Sequence, residues 1–230
     1  MRNGKSMEII VSPPGAVADN LQTDEEMLRS AAAEDRSVLR LWWGGPPAVV
    51  MGRSEVLDRV VDGEECRRRG VEILRRITGG GSVLLTRDVL SYSLTCPAPG
   101  LPDIRAIFQV GARLLVETLG ELGLQAVARG TSDVAVGHRK VSGNAMARRW
   151  GGLLLHGTLV WDLDLDLVEA CLRHPPREPD YRQGRSHRDF ITTLRGLGVE
   201  GRPQLEEAVI AAARRLGLEG ALDLSPYVRG

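Results

Sequence analysis

Two stretches of the chain combine residue types that can do chemistry. The first is Arg75-Arg76-Ile77-Thr78-Gly79-Gly80-Gly81-Ser82-Val83. Inside a helix or strand each glycine costs roughly 0.5–1 kcal/mol relative to alanine, so something must offset three in a row. Close approach of a ligand to bare backbone is one such offset, because N–H groups without neighbouring Cβ atoms can line an anion-binding concavity. Arg76 adds a guanidinium fork suited to phosphate or carboxylate. The competing reading is a glycine-rich turn flanked by solvated arginines. Neither common phosphate motif fits. No Lys follows the glycines as a P-loop requires, and Leu84 stands where a dinucleotide fingerprint needs glycine.

The second stretch is Arg139-Lys140-Val141-Ser142-Gly143, preceded by Gly130-Thr131-Ser132-Asp133 and followed by Leu155-His156-Gly157-Thr158-Leu159. Lys+Arg totals 30, yet the only lysines are Lys5 and Lys140. A strand-borne ammonium is a point charge with three donors, able to hold a carbonyl and a phosphate oxygen together. The competing reading is a surface lysine on an edge strand.

The elements that must position these stretches are legible as patterns. Met7 to Val11, Ser37 to Trp43, Ala48 to Met51, Val71 to Leu74, Val83 to Leu85 and Leu90 to Thr95 read as strands. So do Asp133 to Val136, Lys140 to Arg148 and Leu153 to Trp161. Gly44-Gly45-Pro46-Pro47 reads as the turn of a hairpin joining the second and third of these. Asn20 to Ala33 is an expected helix, with Thr23 and Glu26 as a capping box or with a start one turn earlier, and with Met27, Leu28 and Ala31 as its buried stripe. Leu57 to Gly70 is a charged helix whose Arg67-Arg68-Arg69 reads as a solvated face complementing the helix dipole. Ile104 to Leu122 carries the clearest helical period and ends at Gly123. Leu165 to Arg173 and Gln204 to Leu216 are further helices, Arg177 to Arg188 an arginine-rich loop, and Ala221 to Gly230 a tail. Adjacent strand pairs with few helices argue against regular βαβ winding. The expected fold class is α/β (α+β), with mixed, largely antiparallel sheets flanked by helices in one domain over residues 1–230.

Composition narrows the partners. With Asp+Glu also 30, the formal charge is zero and gives no reason to expect nucleic acid or a membrane surface. Cys66, Cys96 and Cys171 show no metal-ligand spacing, which fits a reduced, cytoplasmic compartment. No apolar run approaches the roughly 20 residues of a membrane helix.

Taken together the motifs resemble the lipoate–protein ligase A family, within the biotin/lipoate ligase and octanoyltransferase superfamily. The family's RRxSGGG-type motif corresponds to Arg75-Arg76-Ile77-Thr78-Gly79-Gly80-Gly81, its KxSG-type strand to Lys140-Val141-Ser142-Gly143, and its HGTL strand to His156-Gly157-Thr158-Leu159. Asn20-Leu21-Gln22-Thr23-Asp24-Glu25 matches an early helix motif loosely, and Leu90-Ser91-Tyr92-Ser93 matches a Leu-Asn-Tyr-Ser stretch. The resemblance runs from about residue 8 to about residue 215. The chain departs from the pattern at Leu85-Thr86, where many ligases have a His-Asp pair, and at Thr131-Ser132-Asp133, which replaces Arg-Asn-Asp. It also stops after the large domain, so the C-terminal accessory domain of longer ligases is either dispensable or supplied by a separate subunit.

The resemblance implies an ATP- and Mg²⁺-dependent activation of lipoate or octanoate to an acyl-adenylate, then transfer to a lysine of a lipoyl-domain acceptor protein. Lys140 would hold the acyl carbonyl and a phosphate oxygen. Gly79, Gly80 and Gly81 would admit the acyl-phosphate, with Arg76, Thr78 and Ser82 adding contacts. Asp133 would orient Lys140 or hold Mg²⁺; Ser142, Gly143, His156, Gly157 and Thr158 would complete the pocket. Val83, Val141 and Leu155 are candidates for an acyl tunnel and equally for plain core. Arg182, Arg185, His187 and Arg188 would clamp ATP or pyrophosphate, meet an acidic acceptor domain, or form a solvated loop. The rival activities are an octanoyltransferase, which needs a cysteine thioester near Lys140, and a non-catalytic relative that binds an acyl ligand. A biotin ligase fits less well, since its glycine motif reads GRGRxG.

Overall fold

The computed structural model describes residues 7–98, 100 and 103–218, so the tail Ala221 to Gly230 lies outside the described residues. Among these, ten strands form two sheets. In chain order the larger sheet contains β1 (Glu8–Val11), β2 (Val38–Trp43), β6 (Val89–Pro97), β7 (Ala126–Arg129), β8 (Asp133–Val136), β9 (Arg139–Arg149) and β10 (Gly152–Val160). Its spatial order is β1-β2-β6-β10-β9-β8-β7. Only β1 and β2 run parallel; every other neighbour is antiparallel. The smaller sheet takes β3 (Ala48–Met51), β4 (Glu72–Arg75) and β5 (Val83–Leu85) in the order β4-β3-β5.

The alternation of the strands shows why helices cover both faces of the larger sheet. In β2, Leu39, Leu41 and Trp43 belong to the main core, whereas Arg40 and Trp42 point to the other side, and all six residues are buried. In β10, Leu153 and Leu155 face the main core while Leu154 faces Leu28 of α1 (Val17–Glu34). The main-core face packs on α4 (Ile104–Glu121), which buries Ile107, Leu114, Leu115 and Leu119, and on α7 (Arg202–Arg215). Gly123, at φ +74°, ends the α4 segment where glycine alone is unstrained.

Several expectations are corrected. The second and third strands are not a hairpin: β2 lies between β1 and β6, and β3 lies in the other sheet. Gly44-Gly45-Pro46-Pro47 is a crossing between sheets, pressed so close that a Cβ on Gly44 would sit 2.6 Å from the Thr86 carbonyl oxygen. The charged helix splits into α2 (Leu57–Val60) and α3 (Gly63–Arg68), because Val61 is extended and bridges Leu172 while Asp62 caps α3 by accepting from Glu65 N at 3.1 Å. Arg67, Arg68 and Arg69 are exposed, with Arg68 and Arg69 paired to Glu65. Helix α1 begins at Val17, so Thr23 is inside it and bonds the Asp19 carbonyl rather than capping. Its buried stripe is Val17, Asn20, Asp24, Leu28 and Ala31, two of them polar. Strand β7 escapes the pattern because three of its four residues are exposed. Two further short helices, α5 (Leu165–Cys171) and α6 (His187–Phe190), flank the arginine-rich stretch. No helix among the described residues is long and apolar enough to cross a membrane.

Candidate active site

The triple-glycine stretch connects β4 to β5, and its shape is set by the two arginines that precede it. Arg75 Nη1 donates to the carbonyls of Gly52, Arg53 and Glu55 at 2.8–3.0 Å, closing the turn after β3. Arg76 is buried. Its Nε donates to Thr78 Oγ1 at 2.8 Å, Nη1 to the Val50 carbonyl at 3.1 Å, and Nη2 to the carbonyls of Gly79 and Gly81 at 2.6 and 2.8 Å. Burial pushes the guanidinium down to about 10, still charged at neutral pH. Three of its five N–H groups therefore grip the loop, and a fourth ties it to β3. Gly80 has φ +85°, and a Cβ on Gly52 would lie 1.9 Å from the Gly80 carbonyl oxygen, so the two backbones touch only because residue 52 is glycine. Ser82 donates to Glu55 Oε2 at 2.7 Å, and that carboxylate also accepts from Gly52 N.

A buried polar chain ties this loop to the larger sheet. Thr78 Oγ1 lies 2.8 Å from His156 Nε2 on β10, and His156 Nδ1 lies 3.5 Å from Asp24 Oδ2 on α1. A neutral imidazole that accepts from Thr78 presents its Nδ1–H to Asp24. Asp24 also accepts from Ser93 and pairs with Arg40 at 2.9 Å. Arg40 further donates to Ser12, to the Asn20 carbonyl and, in a short contact, to the Asn20 side chain. The early helix motif is thus read through its inward residues, Asn20 and Asp24.

Lys140 reaches the same place from β9. The register slips between Val134 and Ala135 of β8, leaving Val141 as the extra residue opposite. Val141 enters the main core while Lys140 and Ser142 face the cavity. Lys140 Nζ pairs with Asp133 Oδ1 at 2.7 Å, and Asp133 Oδ2 accepts from Tyr181 at 2.9 Å. A Cβ on Gly143 would lie 2.7 Å from that Nζ, so the glycine of the Lys-Val-Ser-Gly run leaves room for the lysine tip. Gly157 does likewise for Asn144, whose Oδ1 accepts from Tyr92 and whose Nδ2 donates to the Ser132 carbonyl.

Both stretches open on one cavity of about 460 Å³. Lys140, Asp133, Ser142, Gly143, His156, Gly157 and Thr158 line it, as do Arg76, Gly80, Gly81, Ser82 and Val83. Thr78 is wholly buried behind the wall, and neither it nor Gly79 is part of the lining. Of the acyl-tunnel candidates, Val83 lines the cavity, but Val141 and Leu155 sit in the main core. The apolar lining comes instead from Trp42, Leu85 and Val168, which the sequence reading placed in strands and a helix, and from Val89 and Ile191, which it placed in no element. Leu85, where a His-Asp pair was missing, is part of that wall.

The arginine-rich stretch forms part of the cavity wall, with Arg182 and His187 buried and Arg177 and Arg188 exposed. Thr192 N donates to the Lys140 carbonyl at 2.9 Å, docking its far end beside the lysine. Arg185 bonds the carbonyls of Tyr181, Arg182 and His138, and Arg188 pairs with Asp166. His187 is buried against the Arg173 carbonyl at 3.2 Å. Burial, then nearby Arg182, holds its pKa below the ordinary 6.5. The three cysteines are buried and none lines the cavity. Burial pushes the Cys66 and Cys96 thiols up to about 12.

Residues 16–215 match the lipoyl protein ligase A/B catalytic domain, and the chain belongs to that family. It is 30% identical over 175 residues to lipoate–protein ligase 1 of Staphylococcus aureus, covering 76% of this chain and 52% of that protein. It therefore spans about half the length of that relative. It is also 30% identical over 221 residues to the octanoyltransferase LipM of Kyrpidia tusciae, covering 85% of this chain and 80% of that one. A solved structure from a bipartite lipoate–protein ligase and its E2 lipoyl domain of Thermoplasma acidophilum superposes with a TM-score of 0.81 at 26% identity, covering 92% of this chain and 83% of that chain.

Two outcomes follow from this geometry. Gly52→Ala should cost about 1–3 kcal/mol, because backbone must move to admit the methyl, and hydrogen exchange should speed up at residues 79–81; unchanged exchange there would show that the loop does not depend on this contact. His187 holds fewer protons folded than unfolded at mildly acidic pH, so stability falls as pH drops through about 6.5. Urea titrations between pH 7.5 and 5.5 should show a shallower decline in His187→Gln than in the parent.

Proposed function

We propose that the chain uses ATP to activate a lipoate or octanoate carboxylate and passes the acyl group to a lysine of a lipoyl-domain protein. The observation that carries this reading is the Lys140 ammonium, held 2.7 Å from Asp133 on the wall of a cavity that also exposes the Gly80-Gly81-Ser82 backbone. With one of its three N–H groups on Asp133, Lys140 keeps two for a ligand.

The chemistry asks little else of the protein. A carboxylate oxygen bonds to the α-phosphorus of ATP and the bond to the pyrophosphate oxygen breaks. The acceptor amine nitrogen then bonds the acyl carbon, the bond to the AMP oxygen breaks, and the amine's proton leaves to solvent. Neither step needs a covalent link to the enzyme, so positioning and charge stabilisation carry the rate. Lys140 is suited to hold the acyl carbonyl and an α-phosphate oxygen together, and the glycine backbone to let the phosphate approach. The apolar walls suit an aliphatic chain, and the volume is ordinary for a small-ligand pocket. Arg76 serves by shaping the loop.

No cluster of three acidic, His or Cys side chains able to hold a metal exists among the described residues. Mg²⁺ is commonly held by substrate phosphates with one or two carboxylates; Asp133 and Glu55, which line the cavity, would supply the protein's share.

The acceptor is a lipoyl domain, and a separate accessory subunit is part of the proposal because the similar Thermoplasma ligase is bipartite. The likeness to an octanoyltransferase favours a second reading, transfer from an acyl carrier protein. That route needs a thiolate at the cavity, and the three buried cysteines weigh against it.

The test is a mass measurement. With ATP, Mg²⁺ and octanoate, an apo lipoyl domain should gain one octanoyl group; a gain only with octanoyl carrier protein would favour the transferase, and binding of lipoate without transfer a non-catalytic relative. Lys140→Ala should lower the rate by about 10²–10³-fold, the usual effect of removing one charge-stabilising donor, with the fold intact. A protein with all three cysteines changed to serine should keep its ligase activity.

A further inference from the structure

The acidic side chains on the cavity are Asp133, Glu178 and Glu55, and they differ in what their oxygens already hold. Asp133 has Lys140 on one oxygen and Tyr181 on the other. Glu178 Oε1 accepts from Gly184 N at 2.7 Å, and its Oε2 lies 2.9 Å from His174 and 3.5 Å from Arg182 Nε. Glu55 is different. Its Oε2 takes both contacts, from Gly52 N at 2.8 Å and from Ser82 at 2.7 Å, while Oε1 has no hydrogen-bond or ion-pair partner among the described residues. That open oxygen lies along the glycine cradle, since a Cβ built on Gly81 would sit 4.0 Å from it. The side chain is well held for one on a connecting segment, because Arg75 grips the Glu55 carbonyl at 2.8 Å. Glu55 is half-buried, and Val56 and Leu57, next in the chain, are 56% and 39% exposed. The carboxylate therefore stands where the cavity wall meets solvent.

The transfer step has a use for such a group. A lysine of ordinary pKa, about 10.4, arrives as an ammonium at neutral pH and has no lone pair until it loses a proton. The histidines of the cavity are poorly placed to take it. Both ring nitrogens of His156 are engaged, by Thr78 and Asp24, and His187 lies against the Arg173 carbonyl beside the Arg182 charge, which repels an ammonium.

We propose that Glu55 is a catalytic residue of the transfer step, its Oε1 pairing with the acceptor ammonium and then taking one of its protons. The inference rests on the acyl-transfer reading of the site and names the base that reading lacks. Exclusion of water as the acceptor docks disfavours the charged amine. The freed lone pair forms the N–C bond to the acyl carbon, and the C–O bond to the phosphate breaks. AMP leaves with that electron pair, and the extra proton on the new amide nitrogen passes to solvent. Glu55 then releases its own proton to solvent. The two contacts on Oε2 keep the carboxylate aimed throughout.

The test isolates this step by supplying octanoyl-adenylate directly to the full chain, without ATP or Mg²⁺, in single turnovers against a saturating apo lipoyl domain. Glu55→Gln, which keeps an acceptor for Ser82 and Gly52 N, should slow octanoyl transfer about 10²-fold, the lower end for general acid–base catalysis. Hydroxylamine, which is uncharged at neutral pH, should release octanoyl hydroxamate from the bound adenylate within about twofold of the parent rate, and so reports an intact acyl site in the same variant. Equal slowing with both nucleophiles, slowing with neither, or a higher lipoyl-domain requirement at an unchanged maximal rate would each overturn the proposal. The preceding reading fails separately: a parent that cannot make octanoyl-adenylate from ATP and octanoate, yet transfers from the supplied adenylate in a Glu55-dependent way, would sink ATP-driven activation and leave this inference standing.

Discussion

The Arg76 guanidinium, folded back onto the carbonyls of its own loop, is the interaction on which the site depends. A run of three glycines offers no side chain by which surrounding structure can grip it. Its shape has to be imposed through main-chain carbonyls, and Arg76 takes two of them together with Val50 and Thr78. Burying that charge is expensive unless its donors are met, and the loop supplies the acceptors. The glycines and the arginine therefore explain each other. The bare backbone is free to face the cavity because the arginine beneath it does the holding.

The lysine side is built on the opposite plan. Lys140 is fixed by what is missing around it as much as by Asp133: Gly143 has no Cβ to collide with the ammonium, and Gly157 leaves space for the Asn144 amide that secures the Ser132 carbonyl. Tyr181 occupies the second oxygen of Asp133, so the carboxylate's orientation, and hence the lysine's, is set by a residue from a different segment. A lysine stem unsupported on a strand would lose its position to rotamer freedom. Strand alternation puts Lys140 and Ser142 on the cavity side and Val141 between them in the core.

How much of this was legible in the sequence follows from what kind of interaction each part uses. The glycine run, the rare lysine and the His-Gly-Thr strand stood out because they depart from composition or propensity. The strands and the long helix were readable because burial on alternate residues leaves a period. Sheet membership was not: β2 and β3 read as a hairpin since the turn chemistry of Gly44 to Pro47 is the same whether the chain reverses or crosses to another sheet. The split between α2 and α3 was hidden because Asp62 is a cap only once Val61 is extended. Asn20 and Asp24 fell outside the stripe expected to be buried on α1, because their burial rests on Arg40 from a strand sixteen or more residues away. Arg182 lay among exposed-looking arginines, and nothing local distinguishes the one whose guanidinium is enclosed. Val141 and Leu155 were ambiguous for a related reason, since a strand residue's side is set by register and bulges that pairing decides.

The remaining question is why the cradle and the lysine, carried by different sheets, can be trusted to stay in register. The cradle belongs to the β4–β5 connection of the smaller sheet and Lys140 to β9 of the larger one. They are linked by the Thr78–His156 contact at 2.8 Å, with His156 paired to Ala145 on β9, five residues beyond Lys140 on the same strand. A shift of the glycine loop relative to the lysine must break that contact, and with it a chain of buried polar groups running through Asp24 to Arg40. Each broken member would leave a buried donor or acceptor unmet, so the chain resists displacement much more strongly than apolar packing, which can slide. A site that works by placement alone tolerates errors of well under an ångström. The buried histidine is best understood in these terms, as the pin between the two halves, and its place on the strand adjacent to Lys140 is what makes the pin effective.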